Sequence, residues 1–416
     1  MPISLSRLEE RLKEMAQIGK NKENGITRLA YTDSDLEARE LLSNWIIQIG
    51  LDVHIDGVGN IFAKRQGNKN GPVVMIGSHL DTVTNGGAFD GTLGVISALE
   101  VLQVLIEDNI SDILPVELVV FACEESSRFG CSLVGSKYLT GSLLPEKLET
   151  YHDEENTSII SSLQQKGFIY NNTLARTTFI PENVKGFIEL HIEQHDTLAK
   201  SGLAIGIIEN IAAPTRLKIV VTGEAAHSGA APMFDRKDAL AAAAEVILLI
   251  EKLGRSEAAA QTVATVTSLK VDPGNMNVIP GTVSMFVDIR SINSFSKKRV
   301  LAELKEEIKG ICLAREGIKM EINVLSEEEP VSLDKKIIAQ IKTACQKIGV
   351  PYQFMNSPAG HDCMAMASVV PSGLFFIRNI SGVSHNPQEM IDLDDVYIGT
   401  QVLYETVRKF SAEGVD

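Results

Sequence analysis

Hydrophobic residues recur along this chain with two different periods, and the two patterns alternate. A helical spacing of apolar positions marks the segments 5–19, 33–49 and 92–107. Short apolar runs, which are typical of strands, mark the segments 52–63, 73–78, 115–122 and 186–192. Strands that alternate with helices usually form a mostly parallel sheet with helices on its faces. We therefore expect an α/β fold in the first half of the chain.

The pattern changes near residue 213 and changes back after Pro330. Between these points the predicted order is β-α-β-β-α-β, which is typical of ferredoxin-like domains. The elements in this order are 216–222, 236–253, 262–269, 282–289, 297–314 and 319–325. A helix, a strand and a helix then follow at 334–348, 373–378 and 394–411.

The length of the chain also favours two domains. It has 416 residues, whereas single hydrophobic cores stop growing at about 250–300 residues. We predict a larger α/β domain in two parts, 1–212 and 329–416. An inserted ferredoxin-like (α+β) domain at 213–328 separates the two parts.

The composition of the chain indicates which binding partners are excluded and in which cellular compartment the protein is expected. The formal net charge of −15 argues against nucleic acid and anionic membrane surfaces as partners. The N-terminal segment carries charges throughout and lacks the apolar core of a signal peptide, and no apolar run is long enough to span a bilayer. The five cysteines are scattered and contain no CxxC pair, so we expect reduced thiols and a cytoplasmic protein.

Polar residues that can bind metal ions follow several of the predicted strands. The stretch GSHLDTVTNGGAFDGTLG, at 77–94, contains His79 and Asp81 at the end of one strand and Asp90 among glycines. Glu124 and Glu125 end the next strand. Ligands in open α/β sheets bind at the carboxyl ends of the strands, so these residues are expected to converge.

The residue types suggest different roles in a metal site: bridging ligand, further ligands, orienting residue and base. Asp90 can bridge two cations, with His191 and His385 as further ligands from other strand ends and loops. Asp81 is expected to hydrogen-bond the ring of His79 and fix its tautomer. Adjacent side chains near a strand end point in different directions, so one of Glu124 and Glu125 can bind metal while the other acts as a base.

Nitrogen and oxygen ligands without thiolate suit Zn²⁺, Mn²⁺, Co²⁺ or Ni²⁺. Two such ions about 3.5–4 Å apart would activate water and polarise a carbonyl group. Each motif alone has a more ordinary interpretation, since a His-x-Asp pair or a Glu-Glu pair is usually a solvated surface feature. The combination favours a metal site because each candidate follows its own apolar strand.

The chain resembles a known family over nearly its whole length, from about residue 5 to 410. The motifs that carry the resemblance are GSHLDT, GGAFDGTLGV, ACEESSRFG, ELHIEQ, AHSGAAPM, DPGNMNVIPG, VDIRS, SPAGHD and GVSHNP. They look like the amidohydrolase branch of the dinuclear metallopeptidase superfamily that includes aminoacylase and carboxypeptidase G. This branch contains N-carbamoyl-L-amino-acid hydrolase, β-ureidopropionase and allantoate amidohydrolase.

The resemblance implies a role for each matching residue. The implied metal ligands are His79, Asp90, Glu125, His191 and His385, with Asp90 bridging. Glu124 matches the general base, and Asp81 matches the residue that orients His79. The positions that match substrate-holding residues are Gln194, His227, Asn277, Arg290, Gly360 and His361. The inserted domain is implied to act as a lid and to form a homodimer, in which His227 and Asn277 reach the neighbouring subunit's site while Arg290 serves its own.

The side-chain chemistry agrees with these roles without requiring them. The planar guanidinium of Arg290 suits a substrate carboxylate. His227 can donate a hydrogen bond to a developing oxyanion. Asn277 lies between two Pro-Gly pairs, where turn formation is its ordinary role. The chain departs from the family pattern at His195–Asp196, Pro358 and Ser126, which leaves the substrate open.

We expect metal-dependent hydrolysis of the ureido C–N bond of an N-carbamoyl-L-amino acid or of allantoate, with release of ammonia and carbon dioxide. Three alternatives remain open from the sequence. One is an N-acyl-amino-acid deacylase, dipeptidase or aminopeptidase on the same scaffold. Another is a metal-containing binding protein without catalysis, against which Glu124 argues. The third is an amidase with Cys123 as nucleophile.

Overall fold

The computed structural model describes residues 3–143, 145–168 and 179–413. The chain divides into two compact units. Unit 1 comprises the chain up to Glu209, Leu333–Met355 and the chain from His361 onward, and unit 2 comprises Asn210–Ser332 and Asn356–Gly360. The predicted inserted domain, 213–328, falls within the main segment of unit 2. The return of Asn356–Gly360 to unit 2 has no counterpart in the sequence-based prediction.

The strands and helices are numbered here in chain order. The strands are β1 (His54–Ile55), β2 (Ile61–Arg65), β3 (Val73–His79), β4 (Val116–Phe121), β5 (Val184–Ile192), β6 (Ile205–Ile211), β7 (Ala213–Thr222), β8 (Ala226–His227), β9 (Thr262–Asp272), β10 (Val278–Ile279), β11 (Thr282–Ser291), β12 (Lys319–Glu327), β13 (Val331–Ser332), β14 (Tyr352–Ser357) and β15 (Ser372–Ile377). The α-helices are α1 (Leu5–Met15), α2 (Asp33–Gln48), α3 (Thr92–Glu107), α4 (Val134–Leu139), α5 (Pro145–Leu148), α6 (Ile159–Gln165), α7 (Thr197–Ser201), α8 (Ala239–Ser256), α9 (Ser294–Ala314), α10 (Lys335–Ile348), α11 (Asp362–Met366) and α12 (Leu393–Ala412).

Unit 1 is built on a sheet whose four central strands run parallel. Their spatial order is β4, β3, β5, β15, and antiparallel strands extend the sheet on both sides, with β2 and β1 beside β4 and with β6 beside β15. All seven residues of β3 are buried, which explains its continuous apolar run. The prediction of an α/β fold with a mostly parallel central sheet is confirmed.

One hydrophobic core joins this sheet to its helices. Helix α3 is buried over most of its length and, together with α1, α10 and α12, contributes to a single cluster of apolar side chains. The helix begins two residues after Asp90, so the same core that holds α3 also fixes the end of the loop that carries Asp90. A rigid scaffold of this kind is what positions functional loops.

Unit 2 contains a four-stranded antiparallel sheet with the order β12, β7, β11, β9. Helices α8 and α9 pack on one of its faces and form a separate apolar cluster. Each of these helices begins at a capping side chain, Asp238 for α8 and Asn293 for α9, which accepts backbone N–H bonds from the first turn. The element order and strand order are those of a ferredoxin-like domain, as predicted.

Several parts of the fold differ from the predicted elements, and the unpredicted strands include β6, β8, β10 and β13. The predicted strand 52–63 is divided into β1 and β2, because the side chain of Asp56 accepts the N–H groups of Val58 and Asn60 and folds the chain into a turn. Strand β14 has no predicted counterpart, since it lacks an alternating or continuous apolar pattern. Among the helices in the described ranges, none has both the length and the apolarity that crossing a membrane would require.

Candidate metal centre

The candidate ligands of unit 1 collect where its parallel strands end. His79 is the last residue of β3, and His191 is the penultimate residue of β5. Strand β4 ends at Phe121, three residues before Glu124. Because β4, β3 and β5 are neighbours and parallel, their carboxyl ends meet at one edge of the sheet.

The predicted metal ligands form two groups that share Asp90. Ligand group A consists of His79, Asp90 and His191, and ligand group B consists of Asp90, Glu125 and His385. In group A, Oδ1 of Asp90 lies 3.2 Å from Nε2 of His191 and 3.5 Å from Nε2 of His79. In group B, Nε2 of His385 lies 3.5 Å from Oδ2 of Asp90 and 3.0 Å from Oε1 of Glu125. The two carboxylate oxygens of Asp90 therefore face different groups, as a bridging ligand requires.

Backbone carbonyl groups orient both histidines of group A. Nδ1 of His79 lies 3.0 Å from the carbonyl oxygen of Asp81, and Nδ1 of His191 lies 2.9 Å from that of Ile192. Each Nδ1 therefore carries the proton that it donates, and Nε2 of the neutral ring is an acceptor. Nε2 of His191 accepts the N–H of Gly91 at 3.2 Å. This is the tautomer in which histidine binds a metal ion through Nε2.

The donor set leaves a place for a cation. Oδ1 of Asp90 is buried and has no hydrogen-bond partner among the described residues, although it faces the two imidazoles. Oδ2 of the same carboxylate accepts hydrogen bonds from Nε2 of Gln194, at 2.9 Å, and from Oγ of Ser384, at 2.8 Å. Lone pairs that face one another in a buried site need a cation or protons between them. The residues present thus fit a divalent metal ion in each group.

The pKa values of His79 and Asp90 in group A are shifted by their burial and by the groups that surround them. Burial alone would lower the pKa of His79, but the negative charges of Glu124 and Asp90 raise it well above its ordinary value. Burial alone would raise the pKa of Asp90, whereas His191 and the other two imidazoles close to its carboxylate hold it well below its ordinary value. A metal ion that binds here must displace protons from the imidazoles.

Glu124 and Glu125 leave the sheet through a sharp turn at Cys123, whose φ of 53° lies in the left-handed region. Such backbone conformations are uncommon for residues other than glycine and concentrate at functional sites. The carboxylate of Asp81 accepts the N–H of Glu124 at 3.1 Å and that of Glu125 at 3.0 Å. The two glutamates are thus held through their backbone N–H groups. Their side-chain carboxylates are therefore not needed for this contact and can bind a metal ion or act as a base.

The contact predicted for Asp81 is corrected by the structure. The ring of His79 donates to the backbone carbonyl of Asp81, while the nearest carboxylate oxygen of Asp81 lies 3.8 Å from Nδ1. The carboxylate is already engaged with the Glu124–Glu125 backbone. Asp81 therefore orients both the histidine and the glutamate pair, through different atoms.

Glu124 has the surroundings that a general base needs. Its Oε2 lies 3.8 Å from Nε2 of His79, beside ligand group A. Burial raises the pKa of Glu124 well above its ordinary value, against the opposing charge of His79 and with the added effect of Glu125. A carboxyl group with a raised pKa can both take up and return a proton near neutral pH.

Two of the predicted substrate residues also lie in unit 1. Gln194 donates to the bridging carboxylate of Asp90, so its amide contacts a ligand directly. His361 is buried and packs edge-on against the ring of His191, with ring centroids 4.7 Å apart. Burial, together with the nearby charge of His191, lowers the pKa of His361 well below its ordinary value.

Unit 2 brings His227 and Asn277 together. Strands β8 and β10 pair with His227 opposite Val278, and the N–H of Ser228 donates to the carbonyl of Asn277. Nδ1 of His227 accepts the N–H of Gly229 at 3.1 Å. In the neutral ring the proton is then on Nε2, and the exposed imidazole presents it as a donor.

Arg290, at the end of β11, is held by Asp288 two residues earlier. Nε and Nη2 donate to the two carboxylate oxygens at 2.9 and 3.2 Å, and Nη1 donates to the carbonyl of Pro358 at 3.3 Å. Asp288 and Pro358 together hold the guanidinium group in place, and each Nη nitrogen keeps one further N–H that is not used in these contacts. Gly360 belongs to the same unit, at the end of the segment that contains Pro358.

Sequence-based reasoning does not identify several residues that support the centre. The two oxygens of Glu189 accept the hydroxyl of Ser78 and the N–H of Cys363, so Glu189 ties β5 to β3 and to the start of α11. Glu189 also lies within 4.8 Å of His191 and His361 through its possible ligand atom. The other missed residues are Ser384 and Glu389, which contact the segment of Asp90. Their partners lie about 300 positions away in the chain, so no local pattern could reveal them.

One prediction concerns the protein after metal removal. Hydrogen bonds to Asp90 and Glu125 raise the pKa of His385 from 6.5 to about 11. The folded protein therefore holds a proton that the unfolded chain releases near pH 6.5, and the free energy of unfolding decreases as pH rises through this window. We expect the melting temperature in EDTA to fall between about pH 7 and pH 9.

The matched comparison uses His385→Ala, which should show a smaller decrease over the same range because the proton is no longer bound. Addition of Mn²⁺ to the unsubstituted protein should also reduce the decrease, since a bound cation replaces the proton. An identical pH dependence in the two metal-free proteins would contradict protonation of His385 in the folded state.

Comparison with known proteins places the chain among hydrolases of similar length. The model of the peptidase family M20/M25/M40 matches residues 75–409. An N-carbamoyl-L-amino-acid amidohydrolase from Pseudomonas sp. (strain NS671) is 37% identical over 410 residues, which are 98% of this chain and 98% of that protein. Allantoate amidohydrolase from Escherichia coli (strain K12) is 31% identical over 399 residues, which are 95% of each chain.

Solved structures agree with these sequence relatives. The crystal structure of an amidase of the hydantoinase/carbamoylase family from Burkholderia multivorans matches with a TM-score of 0.88 and 31% sequence identity. The match covers 100% of this chain and 99% of that one. The similarity thus extends over both units.

Proposed function

Because the chain belongs to peptidase family M20/M25/M40, we propose that it is a metal-dependent amidohydrolase that cleaves the ureido C–N bond of a small carboxylate substrate. The substrate class is an N-carbamoyl-L-amino acid or allantoate, and the products include ammonia and carbon dioxide. The observation that carries the proposal is the pair of ligand groups that share Asp90 beside the buried carboxyl of Glu124. Relatives that are similar over their whole length bear names of this activity.

We propose that groups A and B each hold one divalent ion, with Asp90 bridging them. Their nitrogen and oxygen donors suit Zn²⁺ or Mn²⁺, and also Co²⁺ or Ni²⁺. When bound, such ions polarise the ureido carbonyl and lower the pKa of water. The chain's own contribution is to fix the imidazole tautomers through Asp81 and Ile192 and to keep the shared carboxylate in place.

Glu124 moves the proton in this scheme. Its carboxylate takes a proton from the attacking water as the water oxygen bonds to the ureido carbon. It then gives the proton to the leaving nitrogen as the C–N bond breaks, so the residue returns to its starting state. The raised pKa of Glu124 makes both transfers possible near neutral pH.

The substrate contacts that the family motifs imply are part of this proposal. Arg290 and Asn277 bind the substrate carboxylate, and Gln194, Gly360 and His361 border the ureido group. His227 donates the hydrogen bond from Nε2 to the oxygen that becomes negative in the transition state. The tautomer of His227 fixed by Gly229 and the guanidinium of Arg290 held by Asp288 support these assignments.

We further propose a homodimer formed through unit 2. Strand β9 pairs with β11 on one side, and no strand pairs with its other side within the described residues. Apolar side chains on β9 and on the adjacent helix α8 are solvent-exposed, namely Val263, Leu269 and Leu248. A long apolar edge strand of this kind usually pairs with another chain. Sedimentation equilibrium tests the dimer, and mixing inactive His227→Ala and Glu124→Gln chains tests whether His227 serves the partner's site.

The five cysteines are all free, including the four that are buried. Free thiols suit the reducing conditions of the cytoplasm, and we propose that the enzyme acts there.

Substitution Arg290→Lys should raise KM more than it lowers kcat. Lysine replaces a planar bidentate group by a point charge, and loss of such a charged hydrogen bond costs about 1.5–3 kcal/mol, or roughly 10–100-fold in KM. Steady-state kinetics on N-carbamoyl-L-methionine measures the two constants. Arg255→Lys is the control, since Arg255 is an exposed residue of unit 2 that pairs with Glu251. An unchanged KM in Arg290→Lys would exclude the carboxylate role.

The activity is tested by ammonia release from a substrate panel with the Mn²⁺-reconstituted protein. N-carbamoyl-L-methionine and N-acetyl-L-methionine form a matched pair that differs only in the group next to the carbonyl. Allantoate, N-carbamoyl-β-alanine and a dipeptide complete the panel. Turnover of ureido substrates alone supports the proposal. Release of methionine from the acetyl compound or of amino acids from the dipeptide, without turnover of ureido substrates, would instead indicate a deacylase or peptidase.

A further inference from the structure

Glu389 connects two of the three segments that carry ligand group B, namely those of Asp90 and His385. It is buried, with 6% of its surface exposed, and lies four residues after His385. Its Oε1 accepts the backbone N–H of Phe89 at 2.8 Å and that of Asp90 at 3.2 Å. Its Oε2 lies 3.0 Å from the hydroxyl of Ser384. One carboxyl group thus contacts the backbone of one ligand and the residue that precedes another.

Ser384 completes a chain of hydrogen bonds to the bridging ligand. Its Oγ lies 2.8 Å from Oδ2 of Asp90 as well as 3.0 Å from Oε2 of Glu389. Glu389 therefore holds Asp90 in two ways. It accepts the backbone N–H of Asp90 directly, and it contacts the side-chain oxygen Oδ2 indirectly, through Ser384. Oδ2 is the oxygen that faces His385 of group B.

The glycine-rich loop before Asp90 is shaped to admit this carboxyl group. A Cβ atom on Gly87 would lie 2.3 Å from both Cδ and Oε1 of Glu389, which no ordinary contact allows. Any larger residue at position 87 would therefore displace the carboxyl group of Glu389. The close approach gives Gly87 a specific purpose beyond chain flexibility.

His385 itself needs support from its surroundings. Its φ of 55° places a non-glycine residue in the left-handed region, which costs free energy that neighbouring contacts must offset. The turn that follows is closed by the N–H of Gln388 on the side chain of Asn386, and by the N–H of Glu389 on its carbonyl. Glu389 joins this turn to the segment of Asp90, and so fixes the position of His385 relative to the bridging carboxylate.

We propose that Glu389 is a positioning residue that locks Asp90 and His385 in one geometry and thereby sets the affinity of ligand group B for its metal ion. It acts through Asp90 and Ser384 and touches neither ion nor substrate. Group A depends on it less, because His79 and His191 are part of strands β3 and β5 and are oriented by backbone carbonyls. The inference rests on the proposed site for two metal ions.

Titration of the metal-free protein with Co²⁺, followed by calorimetry and by visible absorption, tests this role without substrate. Wild type should bind two ions per chain. Glu389→Ala should retain one ion with an affinity close to that of wild type, bind the second about 10–100-fold more weakly, and show an altered Co²⁺ spectrum for that ion. Glu389→Gln should restore the second ion, since its carbonyl oxygen accepts the two N–H groups and its amide donates to Ser384.

Two further variants test the same contacts in case Glu389→Ala does not fold. Gly87→Ala should weaken the second ion by displacing the carboxyl group, and Ser384→Ala by breaking the chain to Oδ2. Asp395→Asn is the matched control, because Asp395 is a buried carboxylate of unit 1 that pairs with Arg378. This control should bind both ions as wild type does.

The outcomes separate the two proposals. Wild-type affinity for both ions in Glu389→Ala, or in Gly87→Ala and Ser384→Ala together, would overturn the positioning role. The same conclusion follows if Glu389→Gln loses as much affinity as Glu389→Ala, or if both ions weaken equally. Binding of fewer than two ions by wild type would overturn the two-ion site itself.

Discussion

Glu124→Gln is expected to bind both metal ions and to lose almost all turnover. The side chain keeps its size, and the backbone N–H at position 124 still donates to Asp81, so the local structure is retained. Glutamine cannot accept the proton of the attacking water. A general base contributes about 10²–10⁴-fold, and we expect a decrease in kcat at the upper end of this range, because the proposed mechanism uses Glu124 as both base and acid. The measurement is kcat for ammonia release, with metal content determined on the same sample.

The control for this substitution is Glu37→Gln, an exposed change on α2 in the same unit, which should leave kcat unchanged. Substantial turnover by Glu124→Gln with both ions bound would assign the base to another residue. Loss of an ion together with turnover would instead make Glu124 a ligand.

Asp90→Asn should have the largest effect of any single substitution, because Asp90 belongs to both ligand groups. Asparagine is similar in size but lacks the negative charge that two cations would share in the proposed site. Each ion supplies several kcal/mol of transition-state stabilisation, so loss of both should lower kcat/KM by roughly 10⁴-fold or more. Co²⁺ titration should show weakened binding of both ions, in contrast to the selective effect expected for Glu389→Ala.

Asp395→Asn again serves as the control, since it makes the same chemical change at a buried carboxylate outside both groups. If Asp90→Asn still bound two Co²⁺ ions with wild-type affinity, Asp90 could not be the bridging ligand.

The sequence predicts the larger features of the fold because apolar periodicity reflects burial directly. Strand β3 is buried on both faces and therefore has a continuous apolar run. The β-α-β-β-α-β order of unit 2 leaves few possible arrangements, and the structure has the ferredoxin-like one. The divided segment 52–63 and strand β14 are exceptions, because a side-chain turn at Asp56 and a polar strand leave no periodic signal.

The candidate site is predicted as a set of residues, but its connections are not. The rule that strand ends converge, together with the family motifs, identifies the residues of groups A and B, which the structure brings together. The rule does not determine which atoms meet. The ring of His79 donates to a backbone carbonyl where a carboxylate was expected, and Gln194 contacts Asp90. These details depend on distances of a few tenths of an ångström between segments that are remote in sequence.

Glu389 is the clearest example of a residue whose contacts cannot be predicted from the sequence. It follows the GVSHNP motif without belonging to it, and its partners Phe89 and Asp90 lie about 300 positions earlier. In the sequence it is one acidic residue in a polar loop. Its role emerges only when the two loops are folded against each other.

The central claim is that two metal ions, bridged by Asp90, are required for ureido hydrolysis by this chain. The most direct test adds Mn²⁺ stepwise to the metal-free protein and measures ammonia release from N-carbamoyl-L-methionine after each addition. We predict no release from the metal-free protein and a maximal rate at two equivalents per chain. Turnover without metal, or a maximal rate at one equivalent that a second does not change, would contradict the account.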